Sequence, residues 1–282
     1  MKRITIATIQ PPVFNEKSTA ANNLMIEAGF SCLDAALKAG ALFCCLPEYF
    51  NVFGVADQHM QKQASNAGDL LDRVQQLAAQ HQAYIILPVL MQNLDHFLNR
   101  AFLVGPAGTV MGYYDKTHPT LGEKDRLAVK PGNEIPLFET EHGRVAIVIC
   151  YDIYFPELFA ILALQKPDLI FFPSLQRSDH EMASEAILKT RAMDTKAYVV
   201  RSSYGCPADL PWKAGMMFGQ SCIVHPDGAI LGNAGHYEGL ALAHTPVPFN
   251  WSRQRCGGYP AMDVSAFLEE DRRPDLYGDL GT

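Results

Sequence analysis

Three reactive side chains follow apolar runs of the sequence directly. Glu48 ends the run ALFCCLPE, Lys116 comes shortly after TVMGYY, and Cys150 ends RVAIVIC. A free thiol with a pKa of about 8.5 is only about 3% ionised at pH 7, so a cysteine attacks slowly unless a base and a cation assist it. These residue types together indicate nucleophilic catalysis by Cys150.

Proton transfer from a thiol to a carboxylate needs help from its surroundings. The pKa of a glutamate is about 4.3, so the transfer costs roughly 5.7 kcal/mol in water. Burial raises the pKa of the carboxyl group, and a nearby ammonium group lowers the pKa of the thiol. Both effects reduce the difference between the two pKa values. We expect Lys116 also to stabilise the oxyanion that forms when the thiol adds to a carbonyl, with backbone N–H groups after Cys150 as a second donor.

Short β-rich runs alternate with helical stretches along the whole sequence. The strand-like runs include ITIATIQ, AYIILPVL, GRVAIVIC, DLIFFP and AYVVRSS, and the helical ones include DLLDRVQQLAAQHQ and PELFAILALQ. This alternation predicts an α/β fold with helices on both faces of the strands. Functional residues of such folds collect at the carboxyl ends of strands, where all three candidates would meet. Since no linker or repeat divides the sequence, we expect residues 1–282 to form a single domain.

The composition argues against several classes of partner. The net charge is −7 and no basic cluster interrupts it, so we expect no nucleic acid partner. The apolar runs fall far short of the ~20 residues that cross a bilayer, so we expect no membrane partner. The sequence has seven cysteines, an odd number without CxxC spacing, which favours a reducing compartment. Pro11 and Pro12 break the apolar segment at the start, so we predict no signal peptide and a cytoplasmic protein.

The sequence lacks several other catalytic motifs. The nine histidines show no HExxH or HxH spacing, so we predict no metal. The patterns GxSxG, GxGxxG and GxxxxGK are absent, which argues against an elbow-type serine hydrolase and against nucleotide binding. A thiol–imidazole pair of Cys150 with His180 or His225 is an alternative, which order and spacing support less well.

With these motifs in place, the sequence resembles the nitrilase, or carbon-nitrogen hydrolase, superfamily. LPEYF is similar to the family's segment for its catalytic glutamate, YDKTHP to that for its lysine, and ICYDIYFPEL to that for its cysteine nucleophile. The three segments follow the family's order at family-like separations, and the resemblance runs almost from end to end. We therefore identify the sequence as a member of this superfamily.

The resemblance implies a four-layer α-β-β-α sandwich that pairs into a homodimer or a larger homo-oligomer and uses no cofactor. It implies Cys150 as the nucleophile, Glu48 as the general base and Lys116 as the oxyanion stabiliser, with a thioester intermediate and release of ammonia. Many members carry a second glutamate shortly after the lysine. Glu123 is the candidate for that position, and Asp125 lies close by.

The resemblance also limits the small-molecule substrate. True nitrilases commonly have Trp-Glu after the nucleophile where this sequence has Tyr151 and Asp152. We therefore favour a linear amide or an N-carbamoyl compound, with a nitrile as the alternative. Tyr154 stands where amidases of small dicarboxylates usually have Arg, which argues against a dicarboxylate substrate.

Six residues near the predicted strand ends are candidates for binding the substrate. Arg177 could pair with a substrate carboxylate, whereas Asp152 and Asp179 leave a cationic amine substrate open. The full set is Tyr49, Tyr151, Asp152, Tyr154, Ser174 and Arg177.

Two further functions are alternatives to an amidohydrolase. A binding or assembly protein that had lost catalysis would be expected to lack one of the three reactive residues, and all three are present, which favours an enzyme. A glutaminase that feeds ammonia to a synthetase would need a partner domain, and the sequence contains none.

Overall fold

A computed structural model of the chain contains two six-stranded sheets that face each other, with helices on their outer surfaces. The structure describes residues 2–14, 16–175, 181–213, 219–249, 252–254, 257, 260–263 and 270–278. This is the α-β-β-α sandwich that the sequence predicts, and the predicted fold class is confirmed.

The first sheet carries the strands that precede Glu48 and Lys116. Its strands are β1 (Lys2–Gln10), β2 (Phe43–Cys45), β3 (Tyr84–Asn93), β4 (His96–Val104), β5 (Val110–Asp115) and β12 (Gly239–Val247), in the order β12-β1-β2-β3-β4-β5. β1, β2 and β3 are parallel, and β4 is antiparallel to both β3 and β5. The carboxyl ends of β2, β3 and β5 therefore lie along one edge of the sheet.

The second sheet carries the strand that precedes Cys150. Its strands are β6 (Phe138–Thr140), β7 (Gly143–Ile147), β8 (Leu169–Pro173), β9 (Tyr198–Ser202), β10 (Cys222–Val224) and β11 (Ile230–Asn233), in the order β11-β10-β9-β8-β7-β6. β7, β8 and β9 are parallel, as the helices between them require. A separate two-stranded ribbon pairs β13 (Ser252–Gln254) with β14 (Ala261–Asp263).

The described residues form six α-helices, four of which cover the outer faces of the sheets. They are α1 (Thr19–Lys38), α2 (Asp57–Gln63), α3 (Ala67–His81), α4 (Leu121–Leu127), α5 (Pro156–Gln165) and α6 (Glu181–Thr195). α1 and α3 pack on the first sheet, and α5 and α6 pack on the second. None of the helices in the described part of the chain has both the length and the apolar character to cross a membrane.

An apolar layer joins the two sheets face to face. Phe43 of β2 stacks on Tyr84 of β3 with ring centroids 4.4 Å apart, and it reaches across to Phe171 of β8 at 5.8 Å. Each fully buried side chain of this size contributes about 1.5–3 kcal/mol relative to an exposed one. This layer fixes one sheet against the other, so residues that follow strands of different sheets can form one site.

The elements differ from the sequence-based expectation at a few points. β2 and β7 end before Glu48 and Cys150, which lie in the segments that follow, and α2 and α4 were not expected. Both helices have only seven residues and are too short to be stable alone. They pack against each other, with Arg126 bonded to Asp57 at 2.7 Å, so tertiary contacts determine their formation.

Candidate active site

The ammonium group of Lys116 lies between two carboxylates. Its Nζ donates to Oε1 of Glu48 at 2.8 Å and to the two oxygens of Glu123 at 3.0 and 2.9 Å. The Lys116 side chain is only 1% exposed, and a buried charge needs paired charges of this kind. Burial alone would lower the pKa of Lys116, but the negative charge of Glu48, with that of Glu123, holds it well above its usual value. The ammonium therefore stays charged.

Glu48 is held in place by its backbone as well as by its side chain. Its carbonyl oxygen accepts a hydrogen bond from the hydroxyl of Tyr204 at 2.9 Å. The next residue, Tyr49, has a φ of 57°, in the left-handed region that few residues with side chains adopt. Burial raises the pKa of Glu48; Lys116 opposes that rise and Glu123 adds to it. Glu48 is therefore the carboxylate that can more readily take up a proton.

Glu123 belongs to the N-terminal capping box of α4. The hydroxyl of Thr120 accepts from the Glu123 N–H at 3.3 Å, and Oε2 of Glu123 accepts from the Thr120 N–H at 2.7 Å. Tyr49 donates its hydroxyl to Oε1 at 2.6 Å. Burial would raise the pKa of Glu123, but Lys116 and these hydrogen bonds bring it below its usual value. Asp125, the neighbouring acidic residue, is exposed, so the second carboxylate at Lys116 is that of Glu123.

Asn99 joins the two carboxylates and was missed by the sequence analysis. Its Nδ2 donates to Oε1 of Glu48 at 2.8 Å and to Oε1 of Glu123 at 2.9 Å, and the residue is buried. A signal was present in the sequence, because Asn99 and Arg100 interrupt the apolar pattern of HFLNRAFLV and asparagine is unfavourable inside strands. Such a polar residue in a buried strand indicates a specific hydrogen-bonding role.

Cys150 is the first residue of a 3₁₀ turn that follows β7. Its φ of 46° places a residue with a side chain in the left-handed region, a strained conformation that is frequent at functional sites. Burial and the charge of Glu48 raise the pKa of the thiol far above its usual value, and Lys116 and the N–H of Leu175 only partly oppose this. The negative charge of Glu48 acts on the thiol, which makes Glu48 the candidate base for its proton when the sulfur attacks.

The carboxylate of Asp152 connects the cysteine turn to the segment after Lys116. Its Oδ2 accepts from the Ile149 N–H at 2.8 Å and from the Tyr114 hydroxyl at 2.8 Å. Its Oδ1 accepts from the Thr117 hydroxyl and from the backbone N–H of His118, and it lies 2.9 Å from Nδ1 of His118. The Asp152 side chain is fully buried, so these five contacts occupy both of its oxygens.

The remaining candidates for substrate binding lie in different surroundings. Tyr49 joins the catalytic network through Glu123, whereas Tyr151 and Tyr154 have 40% and 46% of their surface exposed, with ring centroids 5.7 Å apart. Ser174 is buried and accepts from Nε of Arg201 at 3.3 Å. Arg177 lies outside the described residues.

The described residues offer no site for a metal ion. In that part of the chain, no three His, Cys, Asp or Glu side chains gather closely enough to hold a metal ion. Glu48 and Glu123 are instead bridged by the ammonium group of Lys116, which balances one of their two negative charges.

Comparison with known proteins gives the family. Residues 5–248 match the family model for carbon-nitrogen hydrolases. The chain belongs to the carbon-nitrogen hydrolase family. It is 29% identical over 264 residues to the deaminated glutathione amidase of Bos taurus, and the alignment covers 87% of this chain and 76% of that protein. It is 29% identical over 254 residues to the omega-amidase of Bos taurus, covering 86% of this chain and 88% of the relative.

Solved structures show the same fold. The amidase of Nesterenkonia sp. matches with a TM-score of 0.76 at 20% identity, over 98% of this chain and 96% of that chain. A variant of that amidase carries the acetamide moiety of fluoroacetamide covalently added at its active-site cysteine. The family and the curated relatives confirm the predicted enzyme class: the chain is a carbon-nitrogen hydrolase. The alternative of a non-catalytic binding protein is set aside.

The two acidic residues of α4 give the first prediction. Glu123→Gln removes a negative charge that raises the pKa of Glu48. Glu48 is then the only carboxylate that still pairs with the ammonium group of Lys116. The acid limb of the kcat/KM profile against pH should therefore move to lower pH, while kcat falls by about 100-fold because Lys116 loses its support. Asp125→Asn, the matched control, should leave both quantities unchanged. An acid limb that stays in place in Glu123→Gln would contradict this account of Glu48.

Asp152 gives a second prediction, which separates support of the turn from substrate binding. In Asp152→Asn the amide NH₂ would face N–H and O–H donors and leave some of them unpaired, at about 1–3 kcal/mol each. We expect urea unfolding to show a loss of at least about 2 kcal/mol, whereas Asp34→Asn, in a surface ion pair, should change stability by less than about 0.5 kcal/mol. Full stability with a raised KM would instead assign Asp152 to substrate binding.

Proposed function

We propose that Cys150, Glu48 and Lys116 together hydrolyse the carbon-nitrogen bond of a small linear amide, with Glu123 and Asn99 holding them in place. One observation carries this assignment. The buried ammonium group of Lys116 bonds to Glu48 at 2.8 Å, and the charges of both groups act on the thiol of Cys150. A base and a cation thus form one pair beside the nucleophile.

In the proposed attack, Glu48 takes the thiol proton as sulfur bonds to the carbonyl carbon. Burial raises the pKa of both Glu48 and the thiol, so no free thiolate forms first and the proton moves to Glu48 as the carbon-sulfur bond forms. The carbonyl oxygen becomes an oxyanion beside the Lys116 ammonium. Since the two oxygens of Glu123 can share one N–H of Nζ, a third N–H is left for the oxyanion, with backbone N–H groups after Cys150 as further donors.

Release of the amine completes the first half of the reaction. Protonated Glu48 gives its proton to the leaving nitrogen, the carbon-nitrogen bond breaks, and ammonia departs to leave a thioester on Cys150. Glu48 is then ionised again and can remove a proton from water as that water attacks the thioester. The acid product leaves, and the thiol regains its proton. Glu123 stays ionised throughout, because the charge of Lys116 keeps its pKa low.

The amidase relatives favour amides over the other substrate classes. The relatives named above are an amidase of deaminated glutathione and an omega-amidase. An N-carbamoyl compound fits the same chemistry, since it presents a carbonyl carbon bonded to an amide nitrogen. A nitrile is the weaker candidate, because Tyr151 and Asp152 follow the nucleophile and Asp152 is already saturated by hydrogen bonds within the chain.

The third prediction tests this reaction directly. Ammonia release should be measured with monoamides of dicarboxylates, aliphatic amides, N-carbamoyl amino acids and nitriles. We expect turnover of at least one amide class, and a drop to background in Cys150→Ala because no thioester can form. During turnover, mass spectrometry of the quenched wild-type protein should find an acyl group on Cys150. Equal turnover by Cys150→Ala would contradict the proposal.

We also propose that the chain forms a homodimer through α5 and α6. Ile161, Leu164 and Met193 on these helices are 43%, 43% and 38% exposed. Next to them an apolar cleft of about 380 Å³ opens between the helices and Tyr277. A surface of this kind is typical of protein–protein contacts, and a second copy of the same face would cover it.

The fourth prediction concerns this face. Leu164→Glu places a charge in the proposed contact and should shift the protein from dimer to monomer in sedimentation velocity. Leu24→Glu, at a leucine of α1 that is 62% exposed, is the control and should leave the dimer intact. A monomeric wild-type protein, or a dimer that survives Leu164→Glu, would rule out this interface.

Two further properties are part of the proposal. A reactive thiol and the six free cysteines of the described residues suit a reducing compartment, which supports a cytoplasmic location. The apolar layer shared by both sheets supports one domain over residues 1–282.

A further inference from the structure

We propose that the ion pair between Arg100 and Asp115 is a positioning pair, which fixes the strand ends that carry Asn99 and Lys116. The pair lies on the face of the first sheet opposite the catalytic residues. This inference rests on the proposed function, because it concerns how Lys116 is held against Glu48.

The pleat of the strands connects the two faces. Successive residues of a strand point to opposite sides of the sheet. Asn99 and Lys116 direct their side chains to the catalytic carboxylates, so their neighbours Arg100 and Asp115 point the other way. Arg100 and Asp115 also stand directly opposite each other in the β4–β5 pairing, at the last ladder position before Lys116. A displacement of Arg100 and Asp115 therefore also displaces Asn99 and Lys116.

The ion pair has the geometry of a rigid contact. Nε and Nη2 of Arg100 donate to the two carboxylate oxygens of Asp115 at 2.7 and 2.8 Å, and the guanidinium carbon lies 3.6 Å from the ring centroid of Tyr113. Both charged side chains are about 15% exposed. Bidentate, partly buried pairs of this type are stronger and more directional than surface ion pairs. The pair can therefore hold β4 and β5 in register where the ladder ends.

The backbone of Lys116 depends on this register. Its N–H donates to the carbonyl of Asn99 at 2.9 Å, and its carbonyl accepts from the Gly132 N–H at 2.9 Å. The backbones approach so closely here that a Cβ atom on Gly132 would lie 2.2 Å from the carbonyl oxygen of Asp115. Lys116 is thus held between β4 and the segment that contains Gly132, and a loss of register would shift Nζ from Glu48.

A cleft makes the ion pair accessible to small solutes. Arg100, Tyr113 and Asp115 line a cleft of about 370 Å³, together with His96, Lys130 and other residues of the segment up to Pro136. Truncation of Arg100 would open space beside Asp115 that joins this cleft. A guanidinium ion from solution could then occupy the position of the missing side chain.

The fifth prediction uses Arg100→Ala and Asp115→Asn. Each should lower kcat by about 10-fold or more and change KM by less than about threefold, because Lys116 is displaced while substrate contacts remain. Lys116 and the hydrogen bond from Asn99 oppose the rise in the pKa of Glu48, whereas Glu123 adds to it, and both Lys116 and Asn99 would be displaced. Hence the acid limb of kcat/KM should move to higher pH. Guanidinium at about 50 mM, far below denaturing concentrations, should restore part of the kcat of Arg100→Ala.

Arg73 supplies the matched control. It makes the same kind of bidentate pair, with Glu27 at 2.6 and 2.9 Å, and stacks on Phe30 at 3.7 Å, but on the outer helices. Arg73→Ala should leave kcat and the acid limb unchanged, and sodium chloride at equal concentration should not rescue Arg100→Ala.

The outcomes separate this inference from the proposed function. A wild-type enzyme without amide turnover would refute the proposed function. An active wild type with unchanged kcat in Asp115→Asn would refute the positioning pair alone, and this variant decides the question if Arg100→Ala does not fold. Lost activity with an unmoved acid limb, or without rescue by guanidinium, would also contradict it, since either indicates general damage to the fold.

Discussion

The structure depends on one buried ammonium group. Lys116 would lose its proton readily in an apolar interior, and it stays charged because Glu48 and Glu123 both contact it. Two carboxylates around one cation leave an excess negative charge, and this excess affects the pKa values of Glu48 and Glu123 differently. Glu123 accepts additional hydrogen bonds from Tyr49 and Thr120 and remains ionised, whereas Glu48, more deeply buried, has its pKa raised. Two glutamate side chains thus have different roles because their surroundings differ. Glu123 positions the ammonium group of Lys116, and Glu48 transfers protons.

The fold explains how these groups meet. Glu48, Asn99 and Lys116 follow or lie on strands of the first sheet, and Cys150 follows a strand of the second. The apolar layer around Phe43 and Phe171 sets the distance between the sheets. Asp152 then ties the cysteine turn to the segment after Lys116, so the nucleophile and the cation cannot move independently.

The sequence predicted the layers of the fold, because long apolar strands are local signals. Short motifs also named Glu48, Lys116, Cys150 and Glu123, and the structure places both glutamates on the ammonium group of Lys116. It did not predict α2 and α4, whose stability comes from contacts with each other. Glu123 differs from the exposed Asp125 because it is buried against Lys116, and its position there depends on α4, which was not predicted. Asn99 and Asp152 act through hydrogen bonds between residues distant in the chain. Spacing along the sequence carries no information on such partners.

The central claim is that the resting enzyme keeps a neutral thiol beside an ionised Glu48. The most direct test is the ultraviolet absorbance of the thiolate, titrated against pH as the difference between the wild-type protein and Cys150→Ala. Burial and the charge of Glu48 raise the pKa of this thiol, so we predict no thiolate at neutral pH and its appearance only above the ordinary range of a cysteine. A thiolate band at or below pH 7 would show that Lys116 dominates the thiol and would contradict the account.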